Sequence, residues 1–382
     1  MKEHFYAIFG SFHPNIASTN RLLSYLEVWS KMNINVTLIF MLPDKLFSKL
    51  ETKYDNIKIV YLWEKLPIRS YRLHRIMYLW HIRRLKKMLK RGDKVYLYGQ
   101  SYLLGKLVNE EGLSVYWEKT EHPEVSNPWQ WPYKKSLDGL LKDCRKVKGL
   151  FVISNPLKDY FTEQGVDQER ICIVNMMVDP SRFSQIEKNK EIGKYIAYCG
   201  NVSNKKDGVD LLIESFARIS DKFPNVYLYI IGNITGEKSA NGNVLLAEKL
   251  GIKERVVFTG LVPYQDMPQM LKNAEILALN RPNNMQAQYG FPTKLGEYLL
   301  TGNPVVITSV GDIPNFIHDG ESGMVVEPNN IEEFADKLEW LLEHPQKAKA
   351  IGENGRQVAL KSFNNEIEAK KIPNVILKSG EL

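Results

Sequence analysis

Residues 288–312 read QYGFPTKLGEYLLTGNPVVITSVGD: a glycine-led turn, a short helix closed by Gly302, and an apolar, β-branched strand. Pro292 suits a first helical turn, where its missing N–H would be unpaired in any case. A helix that closes on a glycine and drops straight into VVIT is one step of an alternating strand–helix chain. The rhythm extends outward to both ends. YAIFG, VTLIF, KIVYL, VYLYG, SVYWE, GLFVIS and ICIV precede residue 184, and KYIAYCG, VYLYIIG, RVVFTG, EILALN, NPVVIT and GMVV follow it. Such alternation predicts parallel sheets with helices on both faces. The rhythm breaks at the polar run QIEKNKEIGK, residues 185–194, which divides the 382 residues into halves of similar texture. A chain of this length exceeds one compact core. The expected organisation is an N-terminal Rossmann-like domain over 1–185, a C-terminal one over 186–361, and a final helix over about 362–382 that returns to the first.

Composition narrows the function classes. Charged residues make up 25% and hydrophobic residues 44% of the chain, ordinary values that exclude disordered and fibrous classes. Cys144, Cys172 and Cys199 are odd in number and form no CxxC pair, which points to a reducing cytosol and away from a disulfide framework or a zinc site. No segment has the ~20 apolar residues of a membrane span, and FYAIFGSF reads as a first strand rather than a signal peptide. The net charge of +7 is concentrated: residues 65–94 hold eleven Lys or Arg against one acid. There Ile76, Leu79, Trp80, Ile82, Leu85, Met88 and Leu89 form an apolar side flanked by Arg72, Arg75, Arg83, Arg84, Lys87, Lys90 and Arg91. Two readings are open, an anionic membrane surface or a solvated basic face whose stripe packs on the core. Nucleic acid is not expected, because no binding motif accompanies the patch.

In the 288–312 segment, the backbone N–H groups of Thr293 and Lys294, the helix dipole and the Lys294 ammonium converge where a phosphate would sit. Glu297, four residues after Thr293, would accept from two neighbouring hydroxyls such as a ribose presents. The alternative is a surface ion pair between Lys294 and Glu297.

Five segments in order resemble the family 4 retaining glycosyltransferases, the "glycosyl transferases group 1", with the GT-B fold of two Rossmann-like domains whose parallel sheets face each other across a cleft. They are YCGNVSNKKDGVDLLIESFARI (198–219), VYLYIIGN (226–233), VVFTGLVPYQDMPQMLKNAEILALN (256–280), GFPTKLGEYLLTGNPVV (290–306) and GDIPNFIHDGESGMVVEP (311–328). GSFHPNIASTNR follows the first strand, and the GFPTKLGEY form marks a subgroup. The resemblance implies transfer of a sugar from a nucleotide-diphosphate-sugar donor to a glycan or lipid-linked acceptor in surface polysaccharide synthesis. It further implies a cytoplasmic protein, at the inner face of the plasma membrane if the basic run binds lipid. With no DxD motif, no metal and no other cofactor are expected, and cations and helix N-termini balance the leaving diphosphate.

Carried onto this sequence, the resemblance places Gly10, Ser18 and Arg21 over the diphosphate from the first domain. From the second it places Gly200, Asn201, Lys205, Lys206, Gly290, Phe291, Pro292, Thr293 and Lys294 on the donor. Asn201 stands where the family has an arginine. Lys206 is favoured over Lys205 as the diphosphate lysine, and Asp207 is read as the N-cap of a helix over Gly208–Ile219. Glu297 matches the ribose glutamate, while Tyr289 replaces the glutamate that contacts the sugar. Gly232 and the Gly260–Tyr264 turn lie near the base, and Met285, Gln286 and Gln288 near the sugar. His122, flanked by Glu121 and Glu124, joins Lys206 and Glu297 in the catalytic set. Two alternatives accompany this reading: a catalytically decayed nucleotide-sugar-binding subunit, for which Asn201 and Tyr289 speak, and a nucleotide-sugar 2-epimerase. A nicotinamide-dependent oxidoreductase is excluded by the missing GxGxxG.

Overall fold

A computed structural model describes residues 3–12, 17–41, 50, 54–62, 74–126, 136–189, 191–234 and 238–378. The chain divides into two compact units: unit 1 is Met1–Asn175 with Asn365–Leu382, and unit 2 is Met176–Asn364.

Unit 1 carries β1 (Glu3–Phe9), β2 (Ile34–Phe40), β3 (Ile57–Tyr61), β4 (Lys94–Tyr98), β5 (Ser114–Lys119), β6 (Gly149–Val152) and β7 (Ile171–Ile173) in one sheet of order β3-β2-β1-β4-β5-β6-β7. Unit 2 carries β8 (Tyr195–Cys199), β9 (Tyr227–Ile231), β10 (Val256–Gly260), β11 (Ile276–Leu279), β12 (Val305–Thr308) and β13 (Met324–Val326) in order β10-β9-β8-β11-β12-β13. Every pairing is parallel, for example Phe5↔Val36 and Ala278↔Val306. The thirteen apolar runs of the sequence are the thirteen strands of the described residues. Their continuous apolar character has a direct cause: β6, β11 and β12 are buried along their whole length, because helices cover both faces of a parallel sheet. In each unit the strand order reverses once, between β1 and β4 and between β8 and β11, and such a switch point opens a crevice at the carboxyl ends of the strands.

The unit boundary falls at Asn175/Met176 rather than at 185/186. The reason is local. Val178 N donates to Phe363 O at 2.8 Å, and Arg182, in the turn Pro180–Phe183, bonds residues of unit 2. The charged run 185–194 therefore lies inside unit 2. The helix Asn365–Lys378 belongs to unit 1: Trp29 Nε1 donates to Ala369 O and the Asn175 N–H to Glu368 Oε2, both at 2.8 Å.

The basic run is partly a helix, His74–Met88. Residues 65–73 and the side chains of 74–79, including Arg72, Arg75, Ile76 and Leu79, lie outside the described residues. Ile82, Leu85 and Leu89 are buried, and they line a small cavity with Leu103, Leu107 and Leu113. That part of the apolar stripe packs on the core, as the second of the two readings expects, and is not free for lipid. Trp80 alone among its described apolar members is strongly exposed, at 49%, beside the exposed cations Arg83, Arg84 and Lys87. No helix among the described residues is long and apolar enough to cross a membrane.

Candidate active site

Unit 2 builds its site at the switch point. β8, β9 and β10 each end at a glycine, and the three are linked edge to edge: Gly200 N donates to Ile231 O at 2.8 Å, and Gly232 N to Gly260 O at 3.1 Å. The result is a backbone ledge along the carboxyl edge of three strands with no side chain standing on it. Gly200 has φ 153°, and a Cβ there would overlap the Lys294 ammonium. Both facts require glycine.

Beneath the ledge lies a buried charge cluster. Lys294 Nζ donates to Asp207 Oδ2 at 2.7 Å and to the Tyr198 hydroxyl at 3.1 Å, while Arg281 Nε lies 3.7 Å from Asp207 Oδ1. Burial opposes the charge on Asp207, but Lys294 and Arg281 outweigh it and hold the carboxyl below its usual range. Lys294 is pulled below the usual lysine value by burial, against the raising effect of Asp207. The site thus contains a buried cation, Arg281, a half-buried one, Lys294, and one buried anion, Asp207. Arg281 is 3% exposed, and its Nε and Nη1 have no hydrogen-bond partner among the described residues. The Tyr298 hydroxyl completes the scaffold, accepting from Cys199 N at 2.6 Å and so tying the end of β8 to the helix Lys294–Leu300. Burial first, and then Glu297 and Asp207, push the Cys199 thiol up to about 12 despite Lys294.

Several expectations are corrected here. Asp207 is no N-cap: the helix runs Val209–Ser220 behind Gly208, without a side-chain cap, because the Asp207 carboxylate turns inward to Lys294. The Lys294 ammonium does not stand alone at the helix start, since Asp207 and the Tyr198 hydroxyl accept from it. Nor does it pair with Glu297, whose carboxylate is bonded by Arg182. The Phe291 ring is buried against Phe316 and Phe363, so this side chain serves packing, and only its backbone faces the turn. Thr293 is exposed and starts the helix without a side-chain cap bond.

The remaining positions of unit 2 stand closer to solvent. Asn201 and Lys205 are exposed and Lys206 half-buried, on the single turn Asn204–Asp207 capped by Ser203. Neither lysine forms an ion pair among the described residues. Tyr289 ends the helix Met285–Tyr289, from which Gly290 N bonds back to Gln286 O at 3.1 Å, with Pro292 buried beyond it. Gln288 is tied to Asn283 at 2.7 Å and to Gly311 N at 3.1 Å, which fixes the approach to this turn.

In unit 1, Gly10 follows β1 at the switch point and packs against the Gln100 side chain, whose own backbone is left-handed at φ 37°. Ser18 is half-buried, and residues 13–16 of the opening loop lie outside the described residues. Arg21 departs from expectation. It is 6% exposed, donating from Nε to Glu118 at 2.6 Å and from its two terminal nitrogens to Asn175 O and Val174 O at 2.8 Å. Glu118 is fully buried and also accepts from Tyr25 and Tyr96, so it needs a cation inside the fold, and Arg21 is that cation rather than a phosphate ligand. His122 follows β5, 5% exposed, with its ring 4.2 Å from that of Tyr160 and Nδ1 accepting from Glu124 N at 3.3 Å. Burial lowers its pKa, with Lys119 acting in the same direction and Glu124 against it.

Residues 181–358 match the family model described as glycosyl transferases group 1. That span begins just before Arg182 and contains the ledge and the cluster. A D-inositol 3-phosphate glycosyltransferase of Corynebacterium aurimucosum is 29% identical over 163 residues, 42% of this chain and 37% of the relative. A GDP-mannose-dependent alpha-(1-6)-phosphatidylinositol monomannoside mannosyltransferase of Mycolicibacterium smegmatis is 26% identical over 52% of this chain and 51% of its own length. The chain thus spans about half or less of the length of these curated relatives. Among solved structures, sucrose-phosphate synthase from Thermosynechococcus elongatus aligns over 99% of both chains with TM-score 0.77 and 13% identity. Anabaena HepE in complex with UDP aligns over 99% of this chain and 100% of its own, with TM-score 0.74 and 16% identity. At such identities the likeness concerns the fold: the chain has the two-unit α/β architecture of the GT-B class.

Arg182, Tyr198, Arg281 and Tyr298 escaped the sequence reading. Arg182 and Arg281 lie outside the quoted motifs, in VDPSRF and NRPNN, and only the three-dimensional neighbours give them meaning.

Proposed function

We infer that the chain is a glycosyltransferase that moves a sugar from a nucleoside-diphosphate-sugar, held by unit 2, to a glycan or lipid-linked acceptor. The observation that carries this reading is the match of residues 181–358 to glycosyl transferases group 1, taken with the placement of that span on the switch point of unit 2. The names of the relatives support a nucleotide-sugar donor, and the UDP of HepE is bound by a protein of the same fold.

In this reading the ledge of Gly200, Gly232 and Gly260 lets a nucleotide approach the strand ends closely. The Lys205 and Lys206 ammonium groups and the loop N–H groups balance the charge that develops on the leaving diphosphate, without a metal ion. Lys294 and Arg281 act from below, through the field of two cations against the single carboxylate of Asp207. Glu297 accepts from the ribose hydroxyls. The sugar lies toward the Tyr289–Thr293 turn and is transferred with retention of configuration. His122, its imidazole kept neutral at neutral pH by burial, serves the sugar or the acceptor from unit 1. The place of action is the cytoplasm, in surface polysaccharide synthesis, with the cations of 65–94 at an anionic membrane surface.

A nucleotide-sugar that binds the folded state raises its stability by about 2.7 kcal/mol at a hundred times Kd. A thermal-shift screen of UDP- and GDP-sugars should find such a donor, and Glu297→Ala should abolish its hydrolysis and transfer while circular dichroism stays unchanged. Undiminished turnover in Glu297→Ala would remove the ribose assignment. A screen in which no nucleotide-sugar shifts the midpoint would sink the donor reading.

A further inference from the structure

Glu297 is not a lone carboxylate. The side chain of Arg182, 115 residues earlier, bonds its Oε1 through one terminal nitrogen. The other terminal nitrogen donates to Tyr264 O at 3.0 Å, and the guanidinium carbon lies over the Tyr264 ring, 3.7 Å from its centre. The fork is split between two elements, the helix Lys294–Leu300 and the turn that follows the ledge at Gly260. A bidentate pair would engage both carboxylate oxygens. This one engages Oε1, and among the described residues no donor bonds Oε2, which is left to accept from another. The pair is partly withdrawn from water, with Arg182 16% and Glu297 23% exposed, so the contact with the tyrosine ring fixes the guanidinium, and the guanidinium fixes the carboxylate.

We propose that Arg182 is a positioning residue of the donor site: it holds the Glu297 carboxylate at the angle from which its free oxygen meets the ribose hydroxyls, using Tyr264 as a rest. The inference rests on Glu297 as the ribose-binding group. It assigns Tyr264 a second task, since one face of its ring is taken by Arg182 and only the other is open to a nucleotide base. No bond to ligand is required of Arg182 itself. Its contribution is the geometry of a carboxylate that would otherwise sample several rotamers.

The test compares, on the full chain, the affinity for UDP and GDP with that for their 2′,3′-dideoxy analogues. In the wild type the ribose form of the preferred nucleotide should bind at least about tenfold tighter, because hydrogen bonds to a charged group are lost in the analogue. Arg182→Met should erase most of that preference while changing affinity for the dideoxy form less than about twofold. Arg182→Lys keeps the cation but not the guanidinium, and should fall between; it carries the same comparison if Arg182→Met does not fold. Should either variant keep the full preference, or lose affinity for both forms in parallel, Arg182 is not a positioning residue for the ribose. Glu297→Ala separates the two claims: if it retains the ribose preference, the ribose assignment of Glu297 fails and the positioning role with it, and if the wild type binds neither UDP nor GDP, the donor reading for these two bases fails. If it loses the preference while Arg182→Met retains it, only the positioning role does.

Discussion

Lys119 closes β5 with an ammonium that is only 7% exposed and bonded to the Ser126 hydroxyl. Burial, opposed by Glu121, lowers its pKa to about 8. Below pH 8 both folded and unfolded chains carry the proton, and the cost of burying the charge is fully present. Between 8 and the ordinary value of 10.5 the unfolded chain binds more protons, so stability rises with pH, by about 1.4 kcal/mol per pH unit. Urea melts of wild type and Lys119→Met should therefore diverge in favour of the wild type from pH 8 to 10. A difference constant across that range would show that Lys119 is not titrating there. At this scale the sequence is least legible. Glu297 and Lys294 could be singled out as candidates from the sequence, but their partners Arg182 and Asp207 lie 115 and 87 positions away, and no local pattern encodes such pairings. Arg21 shows the same limit, because a buried acid 97 residues away, not its neighbours in the loop, determines what it does.

Among the elements, the ledge is the most exacting part of unit 2. Gly200→Ala places a methyl group against the Lys294 ammonium and the Tyr198 hydroxyl in a backbone conformation that L side chains rarely adopt. The expected cost is about 1–3 kcal/mol, read as a lowered midpoint, together with weakened nucleotide binding as Lys294 is displaced. A variant with wild-type melting and binding would mean that the Gly200 turn is not clamped by Lys294. Elements themselves were legible: each apolar run of the sequence is a strand, because strands covered by helices on both faces must be apolar throughout. Their lateral order was not, and the ledge depends on it, since three glycines far apart in sequence meet only because β8, β9 and β10 are neighbours.

For the whole molecule the division into two halves was readable from the repeated rhythm, but its boundary was not. A charged run reads as a linker on composition alone, whereas the bonds of Val178 and Arg182 decide to which unit it belongs. The charge distribution carries a prediction at this scale. With eleven cations against one acid in 65–94 and a slightly acidic remainder, contact with lipid would be electrostatic, because Ile82, Leu85 and Leu89 are already committed to the core. Vesicles containing phosphatidylserine should retain the protein at low ionic strength and release it as salt shortens the screening length below about 10 Å. Phosphatidylcholine vesicles should not retain it. Failure to bind anionic vesicles at low salt would reduce the run to a solvated face.

The helix Asn365–Lys378 completes unit 1 although it follows the whole of unit 2 in the chain. On a ribosome that adds about 5–20 residues per second, unit 2 emerges entire before the Trp29 indole and the Asn175 N–H can meet Ala369 and Glu368. The first half of the chain must therefore wait, with one flank of its sheet uncovered, for the second half to be made. The half translated later is the first that can finish folding, and a released chain truncated before residue 365 would carry a closed unit 2 and an open unit 1.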